Sequence, residues 1–236
     1  MKKVGIILCL FLSSVSLYSQ DKNHEVNSEV KELSNFHTVI YKLWHTAWPK
    51  KDISMLQSLL PDIEKGTQNI VEVKLPGILR EKQTKWENGV AELKVCAAEY
   101  KTASEKKDSS AILKAAETLH SQYEKLVRII RPVIKEVDLF HQELYLVYHY
   151  YMPENDVTKL QASAKVLSER VVELQNAKLP KRLESKKDSF DKAVAELTSS
   201  VQKLSEVAGS KIETKTLNNA VNLVHSNYQA LEKVFD

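Results

Sequence analysis

The sequence predicts an all-α protein: a tandem duplication of an antiparallel, up-down four-helix unit, about eight helices in total. Three observations carry that expectation. The 236 residues include only five glycines and six prolines, and the remainder is rich in Lys, Glu, Leu, Ala and Val, the composition of long helices with few turns. Apolar residues recur at helical spacing along most of the chain. A shift of 104 positions, which carries residue 36 onto residue 140, also brings like residues together. Phe36-His37 falls on Phe140-His141, Tyr41 on Tyr145, His45 on His149, Pro49 on Pro153 and Asp52 on Asp156. Lys74-Leu75-Pro76 falls on Lys178-Leu179-Pro180, and Val90 to Leu93 on Val194 to Leu197. With one residue inserted, His120 falls on His225 and Tyr123 on Tyr228. Self-similarity over this length reads as two copies of one structural unit.

The elements follow in chain order. Lys2 and Lys3 precede an apolar run from Val4 to Leu12, followed by the small residues Ser13, Ser14 and Ser16. That is the layout of a secretory signal peptide. Residues 1–20 are therefore expected to be removed, leaving repeat 1 over 21–131 and repeat 2 over 132–236, in the periplasm or secreted. No other run approaches the roughly 18 consecutive apolar residues of a membrane helix, so no transmembrane span is expected.

Helix A, about 26 to 47, carries Val30, Leu33, Phe36, Ile40, Leu43 and Trp44 at helical spacing. Pro49 ends it, and Asp52 is placed to cap helix B, as Asp156 is in the second copy. Helix B reaches about 73 and should kink or break at Pro61, which the second copy lacks. Pro76 and Pro180 are expected at the first position of helix C, whose buried face is Leu79, Trp86, Val90, Leu93 and Ala97. A polar stretch, 104–110, separates helices C and D. In the second copy Gly209-Ser210 does so, with Ser210 and Glu213 read as a capping box. Helix D carries Leu113, Ala116, Leu119, Tyr123, Leu126 and Ile130, and Pro132 marks the joint between copies. Short connections between amphipathic helices make neighbours antiparallel.

Composition narrows the function. The formal charge of +3 falls to +1 without Lys2 and Lys3, which leaves no basic footprint for nucleic acid. Of the two cysteines only Cys96 lies outside the leader, so it has no intramolecular disulfide partner in the mature chain and reads as a small buried residue. The sequence carries no Cys-x-x-Cys-His haem attachment, no HExxH, no glycine-rich phosphate loop and no nucleophile elbow.

What recurs instead is histidine: His37, His45 and His120 in one copy, His141, His149 and His225 in the other. The two histidines of each helix A stand eight apart, roughly 12 Å along the axis, too far to share one ion with bonds near 2 Å. Counting levels from the end where helix A stops and helix D starts puts His37 beside His120, and His141 beside His225. Paired imidazoles on facing helices are a way bundles build metal and haem sites. His45 and His149 fall near the bundle end as further ligands. Glu92, Glu196, Asp52 and Asp156 are possible auxiliary oxygen donors, with the aspartates read first as helix caps. Tyr41 and Tyr145 are partners for the imidazoles. The expectation is a non-catalytic metal-binding bundle for zinc or copper, serving storage, delivery or sensing. Two alternatives stand beside it: a structural or protein-interaction module with boundary histidines, and a bundle binding haem non-covalently. Two equivalent histidine sets fit binding better than an enzyme's single cleft.

Overall fold

Leu33, Phe36 and Ile40 are spaced so that one stripe of the first helix is apolar, and all three are buried. The same rule builds every later helix. The structure is a computed structural model, and it describes residues 25–210 and 213–235; the signal-peptide reading of residues 1–20 lies outside them. Among the described residues the secondary structure is helical, without strands, and no helix is long and apolar enough to cross a membrane.

The first unit consists of α1 (Lys31–Tyr41), a π-helical turn (Lys42–Ala47), α2 (Ile53–Ser58), α3 (Leu60–Val71), a 3-10 turn (Gly77–Lys82), α4 (Gln83–Glu105) and α5 (Ser109–Ile130). The second consists of α6 (Lys135–Leu146), a π-helical turn (Val147–Tyr151), α7 (Val157–Gln175), a 3-10 turn (Lys181–Lys186), α8 (Lys187–Ala208) and α9 (Thr214–Lys233). The division between the two compact units falls between Ile130 and Arg131, at the break next to Pro132. In each unit consecutive helices pack side by side, and the last returns to the first through ring contacts, Tyr123 on Phe36 and Tyr228 on Phe140. The second unit's core runs from Ile134 to Leu231 and includes Phe140, Leu167, Leu197 and Val224.

The local punctuation has physical causes that differ in places from the expectation. Helix A starts at Lys31 rather than near 26, because Val30 is extended, with φ −107° and ψ 99°. It ends in a π turn in both units: Trp48 N donates to Leu43 O at 2.9 Å and Met152 N to Val147 O at 2.9 Å, each five residues back. Lys51 and Asn155 then take φ near 52°, which reverses the chain. Asp52 accepts from Met55 N at 2.9 Å and Asp156 from Lys159 N at 3.0 Å, capping the next helix as expected. Helix B of the first unit breaks at Leu59, with Pro61 in the first turn of α3, whereas α7 is continuous. Pro76 and Pro180 do not open helix C. They sit extended, ψ 151° and 148°, ahead of a six-residue 3-10 turn, and the α-helix begins only after it, at Gln83 and Lys187. The Ser210–Glu213 capping box is not formed. Ser210 Oγ donates back to Glu206 O at 2.8 Å, and Glu213 is itself the residue before α9, without a side-chain cap bond.

Glycine decides one contact between helices. A Cβ on Gly66 would run into the ring of Phe36, so α3 approaches α1 closely only because residue 66 has no side chain. Long-range side-chain bonds tie helix ends to their neighbours. Gln57 Nε2 donates to Ser104 O at 3.3 Å, and Gln161 Nε2 to Ala208 O at 2.7 Å, at equivalent places in the two units.

Candidate functional site

Trp48 fixes the height of helix A against helix D. Its Nε1 donates to Leu113 O at 3.1 Å, which puts Leu113, one turn into α5, level with the Trp48 indole. Seven residues, about 10 Å of axis, separate Leu113 from His120. That puts His120 between the levels of His45 and His37, and side-chain direction selects the partner. Side chains lean toward the N-terminus of their own helix. In an antiparallel pair His120 leans toward the bundle end while His45 leans away from it, and the two converge. His37 leans the same way as His45 but starts lower, and so leans away from His120.

The ring contacts bring His225 to His149, where the expected pairings were His37 with His120 and His141 with His225. His120 lies flat on Trp44, centroids 4.2 Å apart and planes 9° from parallel, and the charge of His45 reaches it. His225 lies flat on Tyr148, 3.8 Å and 6°, and its centroid is 6.4 Å from that of His149, with the rings at 87°. The other two histidines sit lower, against helix D tyrosines: His37 is 6.0 Å from Tyr123 and His141 is 4.6 Å from Tyr228. The level count aligned the helix ends and left out the direction of lean.

Burial grades the two clusters. His37 and His45 are exposed, while His120, His141, His149 and His225 are half-buried. Desolvation lowers the pKa of His120 below its ordinary 6.5; Glu124 opposes that shift and His45 adds to it. Tyr41 is 53% exposed although Tyr145, at the matching position, is 2% exposed; both rings still touch a histidine one turn on, at 4.8 Å from His45 and 4.6 Å from His149. Burial raises the Tyr123 hydroxyl to about 12, and that hydroxyl donates to Leu33 O at 3.2 Å.

The carboxylates stand elsewhere. Asp52 and Asp156 are occupied as caps, and Asp156 also pairs with Lys159 Nζ at 2.7 Å. Glu92 is solvent-facing opposite Lys125, 4.0 Å away, and Glu196 is exposed. Cys96 is buried beside Glu92 and Glu99, and desolvation first, then those two charges, pushes its thiol pKa up, the opposite of a reactive thiolate. Among the described residues no group of three or more His, Cys, Asp or Glu side chains is placed to hold a metal ion. His149 and His225 are the histidines that a ring contact brings together, and each repeated histidine lies beside an aromatic ring.

Those rings are what sequence reasoning missed. Trp44 reads as a core position of helix A, yet it is the plate under His120, and Tyr148 is its counterpart under His225. The available signal was the aromatic-histidine dipeptide, Trp44-His45 and Tyr148-His149, retained at the same shift of the repeat. Both dipeptides lie in π-helical turns, a distortion that recurs at functional sites because it re-aims side chains. No family model, curated protein or solved structure matches this chain.

Proposed function

We propose that this is an exported helical-bundle protein that binds a transition metal, zinc or copper, at one histidine pair per unit: His45 with His120, and His149 with His225. The role is storage, delivery or sensing, not catalysis and not nucleic-acid binding. The observation that supports it is the meeting of His149 and His225, from different helices, with ring centroids 6.4 Å apart. Neutral imidazole is a good donor for both metals, and two donors leave coordination positions from which an ion can be passed on. The signal-peptide pattern at residues 1–20 supports export, and the near-neutral mature charge supports a partner other than nucleic acid.

Elemental analysis of untagged protein after zinc or copper loading, with thermal melts in both states, tests this reading. Metal retained through desalting and a rise in Tm of a few degrees are expected, and both should vanish in a His45→Ala/His149→Ala double variant. A second reading is favoured by the stacking itself: all six imidazoles already rest on aromatic rings, as boundary residues of a protein-interaction module would. It expects identical melts with and without metal.

A further inference from the structure

At the end of the second unit away from its histidines, the chain passes from α7 into α8 through a basic segment. Between Lys178 and Lys187 stand Lys181, Arg182 and Lys186, against the single carboxylate of Glu184. Pro180 holds the backbone extended, and buried Leu183 pins the 3-10 turn that follows. Lys178, Lys181, Arg182 and Lys187 are exposed, as are Glu184 and Asp188. Two nearby carboxylates are already engaged, Glu173 by Arg170 at 2.9 Å and Asp191 by Lys187. The matching turn of the first unit shares two cations, Lys74 and Lys82. It has Gly77, Ile78 and Gln83 where Lys181, Arg182 and Lys187 stand, and Ile78 is buried. The added charge belongs to the second unit.

Apolar surface lies at the same end. Val172, in the last turn of α7, is 53% exposed. Leu179, Pro180, Val234 and Phe235 are half-buried. Phe235 reaches this end against Phe190, in the first turn of α8, with ring centroids 5.9 Å apart. A surface that mixes exposed cations with apolar side chains fits the interface of an anionic bilayer. The cations meet phosphate headgroups, and the apolar groups enter the boundary between headgroups and acyl chains. A nucleic-acid duplex offers phosphates but no apolar layer for Val172 and Phe235 to enter.

We propose that this end of the second unit docks on an anionic lipid surface through Lys178, Lys181 and Arg182, with Val172 and Phe235 alongside. The surface is separate from the histidine pairs and serves whether or not those bind metal.

The test uses untagged chain recovered after export with residues 1–20 removed, so that the apolar leader cannot itself bind lipid. It is floated with vesicles of phosphatidylcholine alone, or of phosphatidylcholine and phosphatidylglycerol in equal parts. Binding to the anionic vesicles only, weakening as salt is added, is expected. Each cation near an anionic leaflet strengthens attachment about fivefold. Lys181→Glu/Arg182→Glu should therefore weaken binding by at least about tenfold. Val172→Ser should weaken it a few-fold and leave the salt dependence unchanged. Far-UV circular dichroism checks each variant, and Lys181→Gln/Arg182→Gln replaces the charge reversal should that variant fail to fold. Equal binding to neutral vesicles, no binding to anionic ones, or charge variants that bind like the parent would overturn the proposal. So would tighter binding to duplex DNA than to the anionic vesicles, unaffected by Val172→Ser.

Discussion

In the first unit the second bundle helix is broken at Leu59 and rejoined by Pro61, while in the second unit α7 runs unbroken from Val157 to Gln175. The break is secured by residues that the second unit lacks. Tyr100 Oη donates to Leu56 O at 2.7 Å in a buried contact, where Leu204 stands in the second unit, and Gly66 lets α3 close onto Phe36. At the other end of each helix A the units agree: a π turn, a residue near φ 52°, an aspartate cap and a histidine on an aromatic plate. Helix B therefore differs in path, while the turn, the cap and the aromatic plate at the end of helix A are kept in both. What differs at the corners is enclosure. His45 and Tyr41 are exposed in the first unit, and His149 and Tyr145 are drawn inward in the second.

Substitutions can break this comparison, and the largest effect belongs to the close approach in the first unit. Gly66→Ala forces the Phe36 ring to move and should cost about 2 kcal/mol by denaturant unfolding. In the second unit Ala193→Gly, at the position matching Gly89, should cost only about 1 kcal/mol through helix propensity. Equal losses would show that the packing difference between the units is illusory. Tyr100→Phe comes next. It leaves the Leu56 carbonyl at the helix break without its hydroxyl donor and should cost about 1.5 kcal/mol, with the melting of the second unit unchanged.

Asp52→Ala and Asp156→Ala remove equivalent caps and should cost about 1 kcal/mol each. Matching values would sharpen the view that this end of the two units is built alike. The smallest effect is a pH dependence. The folded-state pKa of His120 lies below 6.5 through desolvation, then through His45 acting against Glu124. The unfolded chain therefore binds its proton first as pH falls. The contribution of neutral His120 is complete above pH 6.5 and declines below it. His120→Gln should flatten the metal-free stability profile between pH 7 and 5, and an unchanged slope would remove His120 as its source.

How far the sequence carries this account is clearest at particular residues. Asp52, Asp156, the buried face of helix C and the break at Pro61 follow from spacing and backbone chemistry alone, because caps, apolar stripes and proline act locally. The histidine partners do not. The neighbours of His120 depend on the Trp48–Leu113 bond, which sets the relative height of two helices 65 residues apart in sequence, and on the opposed lean of side chains across an antiparallel pair. Trp44 and Tyr148 fit an apolar stripe in sequence, and only the π turn shows that they face a histidine. The Ser210–Glu213 motif misled because a capping box needs its serine at the residue just before the helix, and Glu213 holds that place.

The most direct test of the pairing is the metal stoichiometry of single-histidine variants, read by anaerobic titration of untagged protein. The geometry predicts two ions per parent chain, one after His149→Ala or His225→Ala, one after His45→Ala or His120→Ala, and still two after His37→Ala or His141→Ala. A loss of binding in His37→Ala and His141→Ala, with His45→Ala and His149→Ala unaffected, would contradict it.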